Sequence, residues 1–213
     1  MKRYLPLIVL LVVGVLAGVG VRSCNERSSS SSSSATDAEP AGSAQAPAAS
    51  FADCREVTTP PKDAAPAGGA VTTIALPAAS LSCFGGGNLR LADVRGPAVI
   101  NLWGSWCTPC REELPAFNAV ASRTAGLVHF LGVDTRDKRS DGEDMATEFG
   151  LTYPSVYDQS EQVRIGLKQA GIPVTVLVDS AGKVAHLYNG ARLDEAGLVK
   201  LIKQYLGVAV PVG

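Results

Sequence analysis

An unbroken apolar run, Ala98–Trp103, passes directly into Gly104-Ser105-Trp106-Cys107-Thr108-Pro109-Cys110 and then into a helix-patterned segment reaching about residue 124. No other stretch constrains the fold as strongly. A strand with so nearly continuous an apolar run, Asn101 its one polar residue, is covered on both faces, which calls for helices above and below a sheet. The handover from strand to helix places Cys107 at a helix N-terminus. Unpaired N–H groups and the positive end of the helix dipole there favour thiolate over thiol. Cys110 follows one turn later, close enough to bond to Cys107. Pro109 falls in the first turn, where its missing N–H costs little. The geometry makes Cys107 the exposed, attacking thiol and Cys110 the sheltered, resolving one.

Two other readings of the pair are weak. A static CxxC staple is strained and holds little together. A zinc site needs two more ligands. His129 falls inside an apolar strand, as a core histidine would, and His186 alternates along a distant strand, so neither has metal-ligand spacing. No metal and no cofactor beyond the Cys107–Cys110 redox pair is expected.

The rest of the chain sorts into three parts. Residues 1–23 carry Lys2 and Arg3 ahead of a charge-free stretch, residues 5–21, which spans about 25 Å as a helix, the short end for a bilayer. This segment reads as a transmembrane anchor or a signal peptide, with the cationic end cytoplasmic and the remainder exported. Lipidation of Cys24 is a third reading, which Arg22 fits badly. Residues 24–70 are rich in Ser, Ala and Pro, with seven consecutive serines from Ser28 to Ser34; they bury too little to offset chain entropy and read as a flexible tether. Residues 71–210 have the size and periodicity of one compact domain. The net charge of −1 offers no basic field for nucleic acid.

Within that domain, strands are expected at 72–76, 81–84, 88–91, 98–103, 127–133, 174–178 and 184–188, the last two forming a hairpin around Ser180-Ala181-Gly182. Residues 155–157 are too short to assign. Helices are expected at 107–124 with an interruption near Pro115, at 143–149, at 161–170, and from an Asp194 cap to about 206. The order βαβ, then helices, then ββα is an α/β sandwich.

Residues 101–115, Asn-Leu-Trp-Gly-Ser-Trp-Cys-Thr-Pro-Cys-Arg-Glu-Glu-Leu-Pro, resemble the active-site signature of the TlpA/ResA-type thioredoxin-like proteins, which are membrane-anchored, extracytoplasmic thiol–disulfide oxidoreductases. The likeness covers roughly residues 72–207. It implies a thioredoxin-like fold: a central mixed sheet with helices on both faces, an N-terminal β-hairpin extension and a helical insertion at about 135–153. Gly171-Ile172-Pro173 is similar to the family's cis-proline loop, which faces the CxxC and offers backbone groups to substrate alongside Trp106. Asn101 stands where cytoplasmic thioredoxin has a buried aspartate, and an amide cannot accept a proton. Glu113 matches a glutamate kept near the cysteines, able to take the proton of Cys110; the bland alternative is a solvated helix glutamate. Trp103 and Trp106 pack around the site, with Trp106 partly exposed.

The resemblance further implies a monomer acting on protein thiols and disulfides. It favours reduction, apocytochrome c haem-binding cysteines being one family-typical target, with electrons resupplied by a membrane donor. Thiol oxidation or isomerisation stays open. A copper-delivery module needs wider cysteine spacing, and a peroxidase of related fold needs a Pro-x-x-x-Thr-x-x-Cys segment; neither is present. Of the five cysteines, Cys54 and Cys83 remain for a structural disulfide in an oxidising compartment, the alternative being a second redox pair.

Overall fold

The computed structural model describes residues 50–64 and 72–212. The N-terminal apolar run, Cys24 and the serine tract lie outside the described residues. No helix among the described residues is long and apolar enough to cross a membrane.

Among the described residues seven strands form one mixed sheet: β1 (Ser80–Cys83), β2 (Asn88–Arg90), β3 (Ala98–Trp103), β4 (His129–Thr135), β5 (Ser155–Asp158), β6 (Val174–Val178) and β7 (Val184–Tyr188), in spatial order β2-β1-β5-β4-β3-β6-β7. Strands β3, β4 and β5 run parallel, and the two hairpins add antiparallel edges. All six residues of β3 are buried, as a central strand requires.

Alternation along the strands sorts the core. Val99, Phe130 and Leu177 pack with Phe117 of α1 (Thr108–Arg123) and Leu198 of the last α-helix. Trp103 packs with Met145 and Ala146 of α2 (Arg139–Glu148) on the same side. The opposite face, Ile100, Leu102, Leu131 and Val133, packs with Val163 of α3 (Gln162–Gly166) and with Cys54 and Val57. The last α-helix, α4 (Glu195–Leu201), starts at Asp194, whose side chain accepts from Gly197 N–H at 2.8 Å.

Several elements depart from the sequence expectation. Residues 72–76 form no strand: Thr72 alone is tied to Val184 O, through its N–H and its hydroxyl, and Pro77 cannot continue a ladder. Residues 155–157, too short to assign by periodicity, belong to β5. Helix α1 runs through Pro115 without interruption, because Pro115 faces solvent and the carbonyl it leaves unpaired stays wet. Helix α3 stops at Gly166, earlier than expected, with Lys168 at φ 57° just beyond it. Helix α2 begins at Arg139, before the expected 143, and tolerates Gly142 because that backbone lies against Asp134. His129 is not a core residue: it opens β4, half-buried, with Nε2 2.9 Å from Thr59 O.

The packed body also starts earlier than residue 71. Residues Cys54–Thr58 form a 3-10 turn whose Cys54 and Val57 are fully buried. Arg95 N–H donates to Val57 O, and Cys54 is bonded to Cys83 with Cα atoms 6.0 Å apart. The segment up to Ala64 is thus part of the domain.

Candidate active site

Strand β3 ends at Trp103, and Gly104 to Trp106 turn the chain into α1. Cys107 is the N-cap of that helix (φ −95°, ψ 101°), and its Sγ accepts from the Cys110 N–H at 3.3 Å. This is the contact by which a helix N-terminus stabilises negative charge on sulfur. Cys107 and Cys110 are bonded, with Cα atoms 5.3 Å apart. Cys107 is less open than expected, 4% exposed against 0% for Cys110. Both belong to an apolar cluster with Phe84, Trp103, Leu114 and Met145. The order of access is as expected; the opening is a narrow one.

Two features flank it. Trp106 is 52% exposed; its Nε1 donates to Thr135 O at 3.3 Å, and the Arg136 guanidinium lies 5.7 Å from the ring centre. The Ile172–Pro173 bond is cis. Because Val174 pairs with Leu102, this dipeptide sits at the Cys107 end of β3, and Ile172 packs on the cysteine cluster.

Glu113 lies one helical turn beyond Cys110, on the same side of α1. It is buried, not solvated. Asn101 Nδ2 donates to its Oε1 at 2.7 Å, and the Leu193 N–H donates to Oε2 at 3.3 Å. Burial pushes the carboxyl up to about 7, against the smaller opposing effect of those two donors. A carboxyl held there changes protonation state in the neutral range, which a proton acceptor for a thiol must do. Asn101 thus serves as the amide that orients Glu113.

Three contributors were not visible in the sequence. Leu193, 80 residues from Glu113, supplies only a backbone N–H, which carries no side-chain signature. Asp137 accepts from both the N–H and the hydroxyl of Ser105, anchoring the loop before Cys107. Asp134, paired in register with Trp103, is completely buried. A charged residue closing the apolar run of β4 was its only sequence signal. Among the described residues no group of three or more His, Cys, Asp or Glu could hold a metal ion.

Residues 72–187 match the AhpC/TSA family model. The thiol-disulfide oxidoreductase ResA of Geobacillus thermodenitrificans is 36% identical over 129 residues, 59% of this chain and 71% of that protein. The thiol:disulfide interchange protein DsbE of Pseudomonas fluorescens is 32% identical over 109 residues, 50% of this chain and 59% of that protein. Among solved structures, a thio-disulfide isomerase from Thermus thermophilus is 29% identical with a TM-score of 0.52, covering 61% of this chain and 92% of its own. The chain belongs to the AhpC/TSA family and is a thioredoxin-like thiol–disulfide oxidoreductase similar to ResA.

Proposed function

We propose that the protein is a disulfide reductase working outside the cytoplasm on a membrane tether, with Cys107 as nucleophile, Cys110 as resolving thiol and Glu113 as the acceptor of the Cys110 proton. The observation that carries this reading is the buried Glu113 carboxyl, raised to about 7 one turn from Cys110.

The Cys107 thiolate attacks one sulfur of a substrate disulfide, forming a mixed disulfide and releasing the other substrate sulfur as thiolate. Cys110 passes its proton to Glu113 and attacks Cys107 Sγ. The second substrate sulfur leaves, and two electrons have moved from the enzyme pair to the substrate. Trp106, Ile172 and Pro173 form the walls against which a peptide segment lies while its sulfur reaches the narrow opening above Cys107. The disulfide formed between the haem-binding cysteines of an apocytochrome c suits this step, joining two nearby sulfurs on a short segment of chain. The residue 1–23 segment holds the domain at the membrane, and a membrane dithiol donor restores the reduced pair.

The Cys110→Ala variant is expected to trap substrate on Cys107 as thiol-sensitive adducts in the native membrane. A reduction potential near or below about −270 mV fits a reductant, whereas one near about −120 mV would make the protein an oxidant. Absence of adducts would remove the exchange step from Cys107.

A further inference from the structure

Trp106 is an exposed ring held in one place. Its Nε1 donates to Thr135 O at 3.3 Å. The ring folds back so closely on the backbone that a Cβ on Gly104 would stand 2.8 Å from Nε1 and 3.1 Å from Thr135 O. The Arg136 guanidinium lies 5.7 Å from the ring centre, within the range at which a cation is attracted to an indole face. These contacts fix a side chain that is still half open to solvent. A ring fixed before it meets a ligand loses little freedom on contact.

The other half of this platform is Thr135-Arg136-Asp137, where β4 ends. The two outer residues are spent on the redox loop. Thr135 O receives Trp106, and Asp137 accepts from the N–H and the hydroxyl of Ser105. Arg136 stands between them at φ 54°, a left-handed conformation that costs an ordinary residue about 1–2 kcal/mol. Its N–H donates to Asp158 O at 3.1 Å, which holds the backbone in that shape. The side chain is exposed and lies over Trp106.

That guanidinium has no acid to answer its charge. Among the described residues neither a hydrogen bond nor an ion pair reaches it. The acids around it are taken. Asp137 is bound to Ser105 and to the Lys138 N–H. Asp158 accepts from the Gln162 and Val163 N–H groups at the start of α3. Glu161, which feels the Arg136 charge, is held by Arg164 at 2.8 Å. An arginine offers a planar fork of donors that matches a carboxylate. Here the fork is presented on the ring of the residue that precedes Cys107.

We propose that Arg136 is a substrate-binding residue, and that it gives the enzyme a preference for polypeptides with an acidic side chain close to the reacting cysteine. The substrate segment lies across Trp106 and its carboxylate meets the Arg136 guanidinium. This rests on the reading of Trp106 as a wall of the peptide surface. It holds for either direction of electron flow, because reduction and oxidation pass through the same mixed disulfide.

The test uses short, otherwise neutral peptides with two cysteines, in a series that places Asp, Asn or Lys in turn at each position beside them. The readout is the ratio of the Asp rate to the Asn rate, by acid quench and separation. It is taken for the reduced protein with peptide disulfides and for the oxidised protein with peptide dithiols. Wild type is expected to favour Asp at one or more positions by about threefold to fivefold at low salt. The ratio should fall toward one in about 0.5 M salt. Arg136→Asn, a residue at ease in the left-handed backbone, should bring the ratio to about one at low salt. Arg136→Lys should retain part of the preference, and Arg136→Glu should favour the Lys peptide instead. Because a ratio is read, a general slowing of a variant cancels. No gain from Asp at any position, a gain that salt leaves untouched, or an Arg136→Asn ratio equal to that of wild type would each overturn the proposal. Dithiols oxidised with the Asp preference while disulfides go unreduced would overturn the reductase reading and uphold the role of Arg136.

Discussion

Asn101 Nδ2 stands 2.7 Å from Glu113 Oε1, inside the domain and away from water. An amide from β3 thus holds a carboxyl near the start of α1. Asn101 Oδ1 has no donor of its own, so the side chain gives one hydrogen bond and receives none. The amide orients Glu113, and burial makes the carboxyl proton-hungry despite the smaller opposing effect of that donor.

Glu113→Gln should separate the two chemical steps. Gln keeps the shape but cannot take a proton. Attack by Cys107 on a substrate disulfide is expected to stay within a few-fold of wild type, while resolution by Cys110 slows about 100-fold. Rapid acid quench and separation of the mixed disulfide would measure both, and equal slowing of both steps would remove Glu113 from the proton-transfer role.

Folding stability should carry the Glu113 signature. Its folded value of about 7 stands above the ordinary 4.5 because of burial. The folded chain keeps a proton that the unfolded chain releases. The stabilisation is therefore complete below about pH 4.5 and is lost as pH rises through 7, a change of about 3 kcal/mol. Urea denaturation from pH 4.5 to 8 should show this fall, and Glu113→Gln should remove that part of it. Asp134, raised for the same reason, adds a decline that continues to about pH 9 in both proteins.

Asn101→Asp replaces the orienting amide with a second buried carboxyl. Two such groups cannot both ionise, so the pair must share one proton. The variant should resemble wild type near pH 5, where a protonated acid donates as the amide did. It should lose roughly 1–3 kcal/mol more than wild type by pH 8. Thermal melts at the two pH values check this.

Replacing both Cys54 and Cys83 with serine opens a loop of sequence separation 29. The chain-entropy account puts the loss at about 3–4 kcal/mol, and the 3-10 turn at Cys54–Thr58 should become the first segment to exchange its amide hydrogens. The Cys107–Cys110 pair should keep its potential. A changed potential would mean that the outer disulfide takes part in the redox chemistry.

Trp106→Ala should discriminate substrates by size. The ring contributes contact area to a peptide and none to a small dithiol. A loss of about 1 kcal/mol, roughly fivefold in KM for a protein disulfide, is expected, with exchange against dithiothreitol unchanged.

Much of this was legible in the chain itself. The uniform burial of β3 follows from Ala98–Trp103 having no polar face to expose except Asn101. The β6–β7 hairpin follows from Ser180-Ala181-Gly182 between the β-branched run Val174–Val178 and the strand-patterned segment Val184–Tyr188. The cap at Asp194 follows from its side chain reaching Gly197 N–H three residues on. The errors have a common origin in long-range contact. Residues 72–76 have strand composition but find no partner strand. Residues 50–64 have linker composition, yet the turn at Cys54–Thr58 is buried because Cys83 and Arg95 meet it. His129 opens its strand beside Thr59 rather than inside the core.

The sequence by itself determined the redox pair: Cys107 and Cys110 are three residues apart on one helical turn, and the strand before them and the N-cap they create are local consequences of residue order. Only the tertiary structure decided what surrounds that pair. The Glu113 carboxyl is raised to about 7 because the folded chain, Asn101 of β3 and Leu193 on the approach to α4 included, closes over it. Asp134 is cut off from water by α2. Burial is set by whatever distant chain lies on top of a residue. The cost of ionising a carboxyl is set by burial, so no reading of neighbours in sequence could assign it.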